Sequence, residues 1–72
     1  MPKWKDLKRY CENTGWEKYK STDHDFYRKF ETDGTMKRTK VSRSSKEIPK
    51  NLWKRILKDQ LKTDEEEFNR NI

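Results

Sequence analysis

No stretch of this chain carries more than two apolar residues in succession. That limit excludes a membrane span, which needs about 20 mostly apolar residues, and the apolar centre of a secretory signal. It also means that any core must be assembled from scattered side chains. Only 28% of the 72 residues are apolar, 44% are charged, and alanine is absent. The bulk has to come from nine aromatics: Trp4, Tyr10, Trp16, Tyr19, Phe26, Tyr27, Phe30, Trp53 and Phe68. So many rings argue against disorder despite the polar average. The length suits one small domain over 1–72, near the lower limit for a self-sufficient core. The core is expected over about 2–62, with a turn and an acidic tail over 63–72.

Apolar periodicity divides the chain into five elements. Trp4, Leu7, Tyr10 and Cys11 recur at helical spacing between Pro2 and about Asn13, and Gly15 is a natural stop. Trp16–Lys20 alternates aromatic with charged residues and predicts a first strand, followed by the turn-forming Ser21-Thr22-Asp23. A second strand is expected over His24–Glu31. Asp33-Gly34 supplies the pair that a tight hairpin favours, leading into a third strand from Thr35 to about Arg43. Leu52, Trp53, Ile56, Leu57 and Leu61 then form one stripe of a helix over Asn51–Lys62. Thr63 with Glu66 resembles a capping box that opens a last turn, with Phe68 either folding back or ending in solvent. The predicted class is α+β, in the order α-β-β-β-α. A three-stranded antiparallel sheet carries both helices on one face, as in double-stranded-RNA-binding domains.

Charge points toward a polyanion. Residues 1–62 hold eighteen basic and nine acidic residues, and Thr35–Lys58 holds nine basic residues against Glu47 alone. Such a block favours phosphate backbones, because each neutralised phosphate releases counterions. Tyr19 and Tyr27 are the candidate base-stacking rings, whereas Trp4, Trp16, Phe26 and Trp53 are assigned to the core. The single cysteine, Cys11, falls on the apolar helix face, excludes an internal disulfide and fits a reducing, cytoplasmic setting. One cysteine and one histidine cannot supply a four-ligand zinc site. No metal or other cofactor is expected, and no membrane partner.

The run "GWEKYKSTDHDFYRKFETDG…KVSRSSKEIPKNLWKRILKDQLKTDEEEF" resembles the HicA family, the small toxins of HicA–HicB toxin–antitoxin pairs. The likeness rests on Trp16, His24 with Phe26 and Tyr27, Val41, Glu47-Ile48-Pro49, Leu52, Ile56-Leu57 and Glu66-Glu67-Phe68, over about residues 5–68. It implies an mRNA interferase, an endoribonuclease that cuts RNA with the histidine of its second strand and is silenced by a HicB-like antitoxin covering that site. Carried over, His24 takes the catalytic role. An imidazole can take or give a proton at neutral pH while a ribose 2′-hydroxyl attacks its own phosphate. Lys40, Arg43, Lys46, Lys50 and Lys54 are the candidate RNA-binding residues, placed on the third strand, the following loop and the second helix. The chain departs from the family pattern at Thr22-Asp23, where the family has Gly-Ser, at Ser42-Arg43 for Pro-His, and at Lys50-Asn51 for Gly-Thr. The alternatives are a non-catalytic RNA-binding module of the same fold and an adaptor for an acidic protein.

Overall fold

The structure, a computed structural model, describes residues 2–72. Helix α1 spans Trp4–Asn13, followed by strands β1 (Glu17–Ser21), β2 (His24–Phe30) and β3 (Met36–Ser42). An α-helix, α2, covers Lys50–Arg55 and runs directly into a π-helical turn, Ile56–Leu61; a last helix, α3, spans Glu65–Arg70. The strands form one antiparallel sheet in the order β1-β2-β3. The α+β class and element order match the sequence reading, with a third helix added at the C-terminal side.

Local chemistry explains where each element begins and ends. The Lys3 amide donates to the Asp6 carboxylate at 2.9 Å, covering one of the donors that a helix start leaves unpaired. At the other end of α1, the Thr14 amide reaches the Tyr10 carbonyl and the Trp16 amide reaches that of Cys11, both at 3.0 Å. Gly15, between them, takes φ +82°, the left-handed conformation this helix ending requires. The β2–β3 connection is longer than the two-residue turn expected from Asp33-Gly34. The Gly34 amide bonds the Glu31 carbonyl and the Glu31 amide bonds that of Thr35, so Thr32, Asp33 and Gly34 form a three-residue loop. Only Gly34 has positive φ there, because Asp33 instead accepts hydrogen bonds from the amide and hydroxyl of Thr35.

Strand parity separates the two faces of the sheet. Asp25 and Tyr27 on β2, with Thr39 and Val41 on β3, are buried beneath the helices. The expected helix over 51–62 is α-helical only as far as Arg55. The wider π turn brings Ile56, Leu57 and Leu61 inward together, and Gln60 accepts from the Thr39 hydroxyl at 2.7 Å. Lys62 ends the turn with φ 54°.

The residues beyond 62 complete the core. Asp64, one position after the predicted cap, accepts from the Glu67 amide at 2.8 Å and starts α3. Phe68, 1% exposed, packs between Tyr10 and Trp53, with ring centroids 5.1 and 4.6 Å away. Aromatic pairs at such distances contribute about 0.5–1.5 kcal/mol each beyond their area burial. The core therefore extends past the expected limit at 62. β1 is the opposite case: all five residues are exposed, it pairs only with β2, and its register slips between Lys18 and Lys20.

Candidate nucleic-acid interface

His24 occupies the first position of β2, and its parity turns it away from the helices. The uncovered face begins at His24 and continues along β2 through Phe26, Arg28 and Phe30. β3 contributes Met36, Arg38, Lys40 and Ser42 alongside. Ser42 lies directly across from His24, and Lys40 directly across from Phe26. Tyr19 and Lys20 extend this surface onto β1.

Rings and cations alternate over the open face. The Tyr19 and Phe26 centroids are 6.2 Å apart. The Arg28 guanidinium lies 5.0 Å from the Tyr19 ring and 5.4 Å from that of Phe30, and the Lys20 ammonium lies 5.4 Å from Phe26. Such contacts hold a cation at a ring while leaving its outer side to solvent. Phe30 is 63% exposed. A shallow hollow of about 310 Å³ lies among Tyr19, Phe26, Arg38 and Lys40 and reaches Thr39 and Gln60. Arg28 and Arg38 stand directly opposite each other across β2 and β3, a like-charge pairing that destabilises a bare sheet. Arg28 is balanced by Glu17 at 2.5 Å, whereas Arg38 has no ion-pair partner among the described residues.

The stacking assignments from sequence are therefore exchanged at one position. Tyr27 is 2% exposed in the core, where burial pushes its hydroxyl up to about 12, and Phe26 is on the open face. Tyr19 is where the sequence reading puts it. Sequence reading also overlooked Lys20, Arg28, Arg38 and Phe30; the signal for them is the even spacing from His24 along β2, which collects 26, 28 and 30 on one side.

The imidazole has one polar partner among the described residues, the backbone carbonyl of Asp23, 2.9 Å from Nδ1. A carbonyl can only accept, so Nδ1 carries the hydrogen and Nε2 is left for proton exchange. Neither flanking carboxylate makes a hydrogen bond to the ring. Asp25 faces the helices, accepting from the Ser21 hydroxyl at 2.8 Å and from Arg43 at 3.1 Å. Those contacts, with Ser21 first, hold its carboxyl below the usual carboxylate range. Cys11 is fully buried on the helix side and burial pushes its thiol up to about 12, so it supplies no nucleophile to His24.

The five sequence-predicted cations do not converge on His24. Lys40 alone shares its face, two positions along β3 from Ser42. Arg43 bonds Ser21 and Asp25 on the helix side. Lys46 is in the loop before α2, where its carbonyl accepts from the Trp4 amide. Lys50 and Lys54 are exposed on α2, in the layer behind the sheet.

No family model, curated protein or solved structure matches this chain. Among the described residues, no helix is long and apolar enough to cross a membrane.

Proposed function

We propose that this chain binds single-stranded RNA on the open face of its sheet and acts as a HicA-like endoribonuclease, with His24 as the proton-transfer group. The observation that supports it is the position of His24 at one end of an exposed surface of alternating rings and cations. Bases stack on rings irrespective of sequence, at about 1–3 kcal/mol per base, while Lys20, Arg28, Arg38 and Lys40 meet the phosphates. In the reaction, Nε2 accepts the proton of a ribose 2′-hydroxyl as that oxygen attacks the adjacent phosphorus. The P–O5′ bond breaks and the departing 5′-oxygen takes a proton from water, leaving a 2′,3′-cyclic phosphate. Lys40, diagonal to His24, faces the charge gathering on the phosphoryl oxygens. Acid–base work by one side chain contributes about 10²- to 10⁴-fold, so the activity is modest unless RNA binding is tight. In this reading a HicB-like antitoxin silences the protein by covering the open face, along which Tyr19, Phe30 and Met36 are exposed apolar residues.

A second reading, binding without cleavage, is favoured by one observation. Neither flanking carboxylate orients the imidazole: Asp23 meets it only through its backbone carbonyl, and Asp25 is engaged on the opposite face. Incubating wild type and His24→Ala with a long single-stranded RNA in EDTA separates the two. Cleavage by wild type alone supports the nuclease reading. Equal binding by both proteins with no cleavage supports the binding module. RNA that neither protein binds nor cuts refutes both.

A further inference from the structure

Asp25 and Arg43 lead to a second cleft, on the helix side of the sheet and at the same end as His24. It has a volume of about 380 Å³ and lies between α1 and the strand ends. Lys5 and Lys8 enter it from α1, Lys18 from β1 and Arg43 from the end of β3, so four cations face the one carboxylate of Asp25. That carboxylate, 6% exposed, is already engaged by Ser21 and Arg43. Lys5, Lys8 and Lys18 make no ion pair or hydrogen bond among the described residues. Like charges gathered in this way repel one another until an anion enters.

A hydroxyl is arranged for an anion as well. Ser42 Oγ accepts from the Ser44 amide and Ser44 Oγ accepts from the Lys46 amide, at 3.2 and 3.0 Å. The Ser44 O–H hydrogen is thereby left to donate into the cleft, whereas Ser42, which also borders it, shares the parity of His24 on the open face. Ser42 is also the residue directly across from His24. The cleft and the imidazole thus lie on opposite sides of the same strand ends, one residue apart on β2 and on β3.

We propose that this cleft is a phosphate-binding site. It holds a backbone phosphate of an RNA strand that rounds the end of the sheet, next to the phosphate at His24. The identity of the phosphate's source rests on the RNA-binding reading above; the affinity of the cleft for phosphate does not.

The test uses the whole chain in two arms. In the first, ¹H–¹⁵N spectra are followed as inorganic phosphate replaces chloride at constant ionic strength. The amides of Lys5, Lys18, Ser42, Arg43 and Ser44 shift in wild type and stay fixed in Lys5→Gln/Lys18→Gln, whose exposed side chains can be changed without opening the core. In the second, affinity for a single-stranded RNA is measured against salt. The double variant loses about 0.7 from the log–log slope for each phosphate contact removed, while Arg55→Gln/Lys58→Gln, away from both sites, keeps the wild-type slope. Phosphate shifts together with the selective slope loss assign the ligand to an RNA backbone. Phosphate shifts without any RNA binding leave the cleft a site for free phosphate and remove the RNA reading. Cleft amides that ignore phosphate overturn the site itself, and equal slope losses in the two variants overturn its role for an RNA backbone.

Discussion

Phe26 and Tyr27 are adjacent aromatics with opposite roles, and alanine at each separates binding from stability. Tyr27, 2% exposed, belongs to the core with Val41 and Ile56. Emptying a buried aromatic site costs about 3–5 kcal/mol. A chain of this size has a total stability of about 4–11 kcal/mol at 0.05–0.15 kcal/mol per residue, so Tyr27→Ala removes a large part of it. At about 4–8 °C per kcal/mol, the midpoint of thermal unfolding drops by well over 10 °C. Phe26 is half-buried beside Tyr19 on the open face, so Phe26→Ala opens no core cavity. Under the proposed function its cost falls on RNA: about 1–3 kcal/mol for one lost stack, or about 5- to 150-fold in affinity. Circular dichroism melts and fluorescence anisotropy with a labelled single-stranded RNA read the two quantities independently. The reverse result, with Phe26→Ala unfolding and Tyr27→Ala folded but unable to bind, would mean that β2 is displaced by one residue. Such a slip carries every side chain of the strand to the other face, His24 included.

Two further outcomes concern the core and its charged edge. Phe68→Ala lowers stability by about 3–5 kcal/mol in a urea melt; a loss below 1 kcal/mol would show that α3 is not part of the core. Asp25 has its carboxyl held below the ordinary range in the folded state. Its contribution is therefore complete above the unfolded value of about 3.9 and is lost as pH falls through the folded one. Wild type loses its advantage over Asp25→Asn as a melt series is taken from pH 5 toward pH 2, and an advantage that is flat across that range would contradict the Ser21–Asp25–Arg43 cluster.

Periodicity made the first helix and the three strands legible, because Leu7, Tyr10 and Cys11 recur at a helical interval and Gly15 stops the turn. It could not say which way β2 faces. Phe26 and Tyr27 are neighbouring rings of similar bulk, so either parity buries an aromatic; the choice is made by Val41 and the helix residues above Tyr27. Thr63–Glu66 and Asp64–Glu67 are the same capping pattern one residue apart, and the burial of Phe68 accompanies the second. The scattering of the candidate cations has a similar cause. Lys40 and Arg43 are neighbours in a basic block, but three residues is an odd step along an extended chain, and it sends them to opposite sides of the sheet. His24 was singled out by resemblance and by being the sole histidine, whereas its surroundings depend on cross-strand register, which no local pattern contains.

The placement of Phe68 bears on how the chain acquires its structure during synthesis. Its ring lies between Tyr10 and Trp53, and the Asn13 side chain donates to the Asn71 carbonyl at 2.8 Å, so the first helix is held by residues translated 58 positions later. Contacts that distant in sequence form slowly and only after the intervening chain exists. Until Phe68 has emerged from the ribosome, Tyr10 and Trp53 lack the ring that covers them, and a nascent chain with all three strands complete still exposes a sticky aromatic face to its neighbours.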